Sequence, residues 1–413
     1  MAGPVSPQTD LPIEFLDDGT VVSPQGFLAG ATYAGLKTYA EDKLDLGIIF
    51  SETPCVAAGV FTTNAIRSPS VTVCQEHLAQ GPVRGLIVNA GIANACVGEQ
   101  GYQDAQHSSL LASQHMGVQP QEMLICSTGV IGVELPMSLI DSGIKQIQPT
   151  KNGGHALALA IMTTDTRPKE TAVSFQVGGR HALMGGVSKG SGMIHPNMAT
   201  MLAFVTTDAA VEPGFLQDTL REVADDSFNM LTIDGDSSTN DTMLVLANGV
   251  AGNQPISAGS ADAAVFKAAL MEVCVHLARE TARDGEGASR LIVVDMAGAK
   301  DKSDARLAAR TIASSNLVKS AVYGADPNWG RVMMALGRSG AAVDETKVDL
   351  FVNGVCIMQG GKPIPFHRDA VVALMRGPEV SFRLDLHQGE GQATAWGCDL
   401  TEQYVIINSA YTT

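Results

Sequence analysis

The chain has 413 residues, of which 45% are hydrophobic, 17% charged and 5% aromatic, a balance that excludes a disordered polymer and allows two or three packed domains. Its 43 Asp plus Glu outweigh 27 Lys plus Arg, for a formal net charge of -16, so phosphate backbones and anionic membrane surfaces are poor partners. No apolar stretch approaches the roughly 18 residues of a membrane span, and the segment from Met1 to Asp18, with Asp10, Glu14, Asp17 and Asp18 but no Lys or Arg, fits neither a secretory nor a transit peptide.

The cytoplasm is the expected location. Seven dispersed cysteines (Cys55, Cys74, Cys96, Cys126, Cys274, Cys356 and Cys398) with no C-x-x-C pair agree with this, reading as reduced core residues.

In chain order, short apolar runs bounded by turn residues predict strands at 46–50, 56–62 and 85–89, and a strand that ends in Ser127, Thr128 and Gly129. Residues 148–154 read as a surface loop, followed by an apolar helix candidate at 156–162. Further strands are predicted at 201–206 and 243–247, with a helix at 215–223 between them and a surface loop at 251–260 after them. Val265, Phe266, Ala269, Leu270, Val273, Cys274 and Leu277 share one face of a helix reaching about Arg283. A strand at 291–295 precedes a helix over 305–312 with Ser303 as its cap, and a last strand is predicted at 380–386. Strands and helices alternate irregularly, with no linker and no solenoid repeat. The class is therefore α/β (α+β), with sheets covered by helices.

The most unusual stretch is KGSGMIHPNMATMLAF, residues 189–204. It can be a glycine-rich loop entering a buried strand, in which Thr200 is simply a β-branched strand residue. It can also be a strained turn that activates the Ala199–Thr200 bond. A threonine hydroxyl is a weak nucleophile until a base takes its proton, and the threonine's own freed α-amine is one such base. That amine, with a reference pKa of about 7.7–8.0, needs the chain to be cut first. An oxyanion would need donors, and Thr128 and Gly129 in ICSTGVIG offer a hydroxyl and a backbone N–H, unless this is an ordinary strand-to-loop turn.

Other chemistries lack their residues. There is no Walker A loop, and Gly190-Ser191-Gly192 lacks the third glycine of a dinucleotide fingerprint. No HExxH occurs, no metal is predicted, and Ser191 does not sit in a G-x-S-x-G elbow. Asp234, Asp236 and Asp241 in IDGDSSTND lack the terminal glutamate of a calcium loop and read as a polar turn network.

KGSGMIHPNMATMLAF closely resembles the ornithine acetyltransferase (bifunctional glutamate N-acetyltransferase) family of arginine biosynthesis. GVFTTN, VNAGIANACVGEQ, STGVIG, IMTTDTRPKE, DGDSSTNDT, RDGEGA, GADPNWGR and the ending NSAYTT look like family blocks in the family's order, from Gly26 onward. The resemblance implies a precursor that cuts itself into an α-chain of residues 1–199 and a β-chain of residues 200–413, the halves staying together as two α and two β chains. It implies a two-domain sandwich of mixed sheets, related in shape to self-processing aminopeptidases, with the C-terminus reaching back to the active site. Carried over, Thr200 matches the nucleophile, Thr128 and Gly129 the oxyanion hole, and Thr163, Lys189, Glu286, Asn408 and Thr413 the substrate contacts. Lys189 and Asn408 suit an α-carboxylate, and Glu286 an amine.

The implied cycle takes acetyl from N-acetylornithine onto Thr200 and passes it to glutamate. It needs no cofactor and leaves open acetyl-CoA as a second donor. Ala90, Ile92 and Val97 depart from the polar residues of the usual block, and His195 stands where alanine is common, which touches substrate preference more than reaction type. Two other function classes share these residues: a self-processing hydrolase or aminopeptidase, in which water accepts the acyl group, and a non-catalytic anion-binding protein.

Overall fold

The computed structural model describes residues 11–37, 43–195 and 201–410; Ala199, Thr200 and Thr413 lie outside them. The described strands form two sheets. The nine-stranded sheet runs in the order Glu14–Phe15, Lys169–Val177, Arg180–Lys189, Leu202–Thr207, Thr242–Ala247, Leu46–Phe61, Val83–Ile92 and Met123–Val130, with Phe27–Thr32 paired to Leu46–Phe61. The six-stranded sheet runs Lys362–Pro363, Val355–Gln359, Asp349–Val352, Glu379–Asp385, Leu291–Ala299 and Gly391–Cys398. Both sheets are mixed and covered by helices, as the α/β (α+β) expectation has it.

The centre of the larger sheet is buried on both faces. Successive strand residues point to opposite sides, and in Leu202–Thr207 this sends Leu202 and Phe204 into one core and Ala203 and Val205 into another. Thr242–Ala247, parallel to it, does the same with Leu244 and Leu246 against Met243 and Val245. Such continuous apolar runs mark strands covered by helices on both faces. On one side lies Ala263–Arg283, which also touches strands of the smaller sheet and so is packed between the two. On the other lies Gly154–Ile161.

Several expectations change. Residues 46–50 and 56–62 belong to one 16-residue strand, Leu46–Phe61. Its first half pairs with Val83–Ile92 and its second with Thr242–Ala247, with a register irregularity between Phe50 and Cys55. The exposed Glu52, Thr53 and Pro54 look like a turn in sequence and have no ladder partner among the described residues; Glu52 N donates to Gly26 O at 2.8 Å, Thr53 N to Ser51 Oγ at 3.4 Å, and pairing resumes at Cys55. The helix Ala263–Arg283 buries more than one face, Ala268, Val275 and Ala282 included, because a sheet lies on either side of it. Gly153 and Gly154, expected on a surface loop, are buried: a side chain at Gly153 would overlap the Ala29 carbonyl. Within 251–260, likewise expected at the surface, Asn253 and Ile256 are buried, the latter bridging Val211. All seven cysteines are free, but Cys96 is exposed and Cys356 only half buried. Among the described residues no helix is long and apolar enough to cross a membrane.

The helix expected to start at Ser303 is Lys302–Ala313, and its cap is Asp301, whose carboxylate accepts from Asp304 N at 3.0 Å. Asp301→Ala should lower unfolding free energy by about 1 kcal/mol, whereas Ser303→Ala, at an exposed position, should change it by less than about 0.5 kcal/mol. Urea midpoints of the two variants at unchanged slope check this.

Candidate active site

A cavity of about 330 Å³ opens beside the ends of the larger sheet's central strands. Its walls include Thr128, Gly129, Thr163, Lys189, Glu286 and Asn408, which are all the predicted site residues within the described part of the chain. Thr200, Ala199 and Thr413 lie outside that part; Met201, the residue after Thr200, lines the cavity.

Thr128 and Gly129 close the strand Met123–Val130, which runs parallel to Val83–Ile92. Gly129 has φ 129°, and a Cβ there would overlap the Gly91 carbonyl, so glycine is required both by conformation and by the close approach of two backbones. Asn240 fastens this turn, its Nδ2 donating to Ala93 O at 2.6 Å and Ser127 O at 2.8 Å. Lys189 Nζ donates to Thr128 Oγ1 at 3.2 Å. The threonine hydroxyl, acting there as acceptor, keeps its own hydrogen for donation to another acceptor.

Behind these residues sits a buried ion triad. Lys169 Nζ is 2.5 Å from Asp165 Oδ1 and 2.6 Å from Asp284 Oδ2, with side-chain exposures of 1%, 0% and 3%. Asp165 also accepts from Thr163 N at 2.9 Å and Gly190 N at 2.7 Å. Asp284 accepts from Thr166 N at 3.1 Å and from the Thr166 hydroxyl. Burial opposes ionisation of Asp165, but Lys169 and Lys189 overcome it and hold its carboxyl well below the usual carboxylate range. Burial pushes the Lys189 ammonium below its ordinary value, against the pull of Asp165.

The opposite wall is acidic. Glu286 is fixed at both ends: its N donates to Ser191 O at 2.8 Å, and its Oε2 accepts from Asn408 Nδ2 at 2.7 Å. Its carboxylate lies against Gly192, where any Cβ would overlap it. Asp234 accepts from the backbone N–H of Met193, Ile194 and Asp236 at 2.6, 2.9 and 3.1 Å, so it shapes the 193–194 turn. Burial, then Asp234 and Glu286, push the Tyr404 hydroxyl above its usual pKa. His195 donates to or accepts from Thr232 Oγ1 at 2.9 Å; burial and then Arg310 push it down to about 4, so it is neutral near pH 7. Among the described residues no cluster of three or more His, Cys, Asp or Glu could hold a metal ion.

Asp165, Lys169, Asp284, Asn240 and Tyr404 escaped the reading of the chain as site residues. Asp165 and Lys169 sit in IMTTDTRPKE and Asp284 in RDGEGA; their polarity beside apolar segments was the available signal. The pairing of Lys169 with Asp284, 115 residues apart, had none.

The ArgJ family model matches residues 28–413. The arginine biosynthesis bifunctional protein ArgJ of Symbiobacterium thermophilum is 50% identical over 397 residues, covering 96% of this chain and 99% of that protein. Its namesake from Bacillus subtilis is 46% identical over 396 residues, covering 96% and 97%. A crystal structure of arginine biosynthesis bifunctional protein ArgJ from Bacillus halodurans is 42% identical with a TM-score of 0.51, covering 51% of this chain and 100% of that one.

Lys169→Met leaves two interior carboxylates without their cation and should cost about 3–5 kcal/mol. In the native protein the depressed pKa of Asp165 contributes stability that is complete above its unfolded reference of about 3.9 and is lost as pH falls from there through the folded value. Urea midpoints between pH 7 and pH 3 check both statements; the variant should be less stable at pH 7 and lose less on acidification.

Proposed function

The chain belongs to the ArgJ family, and from that premise we propose that it is an acetyltransferase of arginine biosynthesis, moving acetyl from N2-acetyl-L-ornithine to L-glutamate through an ester on Thr200. The observation that carries this reading is the convergence of Thr128, Gly129, Thr163, Lys189, Glu286 and Asn408 on one cavity. These residues come from both sides of the Ala199–Thr200 bond and from the C-terminal helix Glu402–Ala410.

In this reading, cleavage between Ala199 and Thr200 frees the α-amine that serves as base, and gives an α-chain of residues 1–199 and a β-chain of residues 200–413. The coverage of the whole Bacillus halodurans chain by 51% of this one supports such a division. Thr200 attacks the acetyl carbonyl, the oxyanion is met by Thr128 and Gly129, and ornithine leaves; the amine of glutamate then takes the acetyl group. Lys189 meets the α-carboxylate that both amino acids carry. Both N–H bonds of the Asn408 amide are engaged, one by Glu286 and one by Tyr404 O at 2.9 Å. This favours Asn408 as the residue that orients Glu286, while Glu286 receives the substrate amine. Thr163 and Thr413 complete the substrate contacts.

No cofactor is required, because the acetyl group travels on threonine. The description of the relatives as bifunctional supports acetyl-CoA as a second donor. We further propose two α and two β chains in the assembly, and a cytoplasmic setting in which the exposed thiol of Cys96 stays reduced.

Denaturing mass spectrometry of purified protein should give two fragments, the second beginning at Thr200, and a single 43.1 kDa chain for Thr200→Ala. Acetylornithine should then yield acetylglutamate only when glutamate is added; acetate released at the same rate without glutamate would identify a hydrolase and overturn the transfer reading. Glu286→Gln should lower both half-reactions by about 100-fold, measured as the burst of ornithine and as deacetylation by glutamate. Unchanged half-reactions would remove Glu286 from the mechanism.

A further inference from the structure

The α-amine that activates Thr200 in the mature enzyme does not exist in the uncut chain. Self-cleavage therefore needs another group to move the hydroxyl proton to the departing amide nitrogen. Among the cavity's ionisable side chains, most are engaged: Lys189 with Thr128, Glu286 with Asn408, and Asp234 with three backbone N–H groups. Asp236 is exposed.

Asp241 differs from all of these. It lines the cavity at 2% exposure, and its buried Oδ2 has no hydrogen-bond partner among the described residues. Leaving such an oxygen unmatched costs stability, so it calls for a reason. Its place in the sheet supplies one. Thr242 pairs with Leu202 in parallel register, and Thr242 N donates to Met201 O at 2.8 Å. Asp241 is thereby fixed beside Met201, the first residue beyond Thr200.

Resting on the reading of Thr200 as a self-released nucleophile, we propose that Asp241 is the proton relay of self-cleavage. As a neutral carboxylic acid it has both functions in one group. Its O–H protonates the amide nitrogen of Thr200 while its carbonyl oxygen takes the proton from the attacking Thr200 hydroxyl. The C–N bond to Ala199 breaks, a C–O ester bond forms, and Asp241 ends as it began. Water then hydrolyses the ester, leaving the Ala199 carboxylate, the free hydroxyl and the new amine. Burial pushes the Asp241 carboxyl well above its usual range, against hydrogen bonding from Ser238 and the charge of Lys189, which lies two strands away across Leu202–Thr207. The acid form is thus held to higher pH than in an exposed aspartate, and cleavage should slow as pH rises through that shifted value. Asp234, Asp236 and Glu286 share the cavity and, when ionised, favour the neutral form of Asp241 in the same direction.

The test is a pulse-labelled translation of the full chain, chased at pH 6 to 9, with the cut fraction followed in wild type, Asp241→Asn and Asp241→Glu. Wild type should cut fastest at the acid end. Asp241→Asn should cut at least tenfold more slowly without that pH dependence, and Asp241→Glu should recover part of the rate with a displaced profile. Melting curves compared with uncut Thr200→Ala verify that Asp241→Asn is folded; if it is not, the displaced profile of Asp241→Glu decides. A folded Asp241→Asn that cuts at the wild-type rate with the wild-type profile, or an Asp241→Glu with an undisplaced profile, overturns the relay while leaving Thr200 as nucleophile. A wild-type chain that stays uncut overturns both.

Discussion

One buried cation organises the active-site region. Lys169 is held between Asp165 and Asp284, and each carboxylate also fixes backbone: Asp165 receives the N–H groups of Thr163 and Gly190, and Asp284 that of Thr166. Charges taken out of water need close partners and saturated hydrogen bonds, and this need ties together three stretches distant in sequence. Glu286 is two residues beyond Asp284 and bonds back to Ser191. The cavity's acidic wall is therefore positioned by the same triad that positions the turn after Lys189.

The resulting site has two electrical ends. Lys189 and the Thr128–Gly129 turn form a pole that favours negative charge, while Glu286, Asp234 and Tyr404 form one that favours positive charge. An amino acid carries both signs on its α-carbon, so a cavity with separated poles sets its orientation before any side chain is read. Preorganised dipoles of this kind do not have to rearrange as charge develops, which is where their advantage over water lies. A glycine shapes each end, Gly129 by admitting a neighbouring backbone and Gly192 by admitting the Glu286 carboxylate.

Much of this was legible in the chain. Central strands such as Leu202–Thr207 and Thr242–Ala247 announce themselves as short apolar runs, and the helix Ala263–Arg283 by its period. The hairpin joining Lys169–Val177 to Arg180–Lys189 was readable but overlooked: Gly178 and Gly179, both at positive φ, form the two-residue glycine turn that favours tight hairpins. The continuity of Leu46–Phe61 was not readable, since its polar middle resembles a turn and only pairing on both sides carries the strand through. Nor was the cap at Asp301, because Ser303 is an equally good capping residue. Thr128, Gly129, Lys189 and Glu286 could be placed in one site by resemblance alone. Asp165, Lys169 and Asp241 could not, because a buried charge and an exposed one look alike in sequence.

The larger sheet takes its strands from both sides of the Ala199–Thr200 bond, with Arg180–Lys189 against Leu202–Thr207 and Leu46–Phe61 against Thr242–Ala247. An intact chain closes these ladders within one molecule. With the bond cut as proposed, the same ladders would join two molecules, and recovery from unfolding would become a second-order encounter whose success depends on concentration. Maturation would then turn a protein that can fold repeatedly on its own into one whose native state is retained mainly by the slowness of its unfolding.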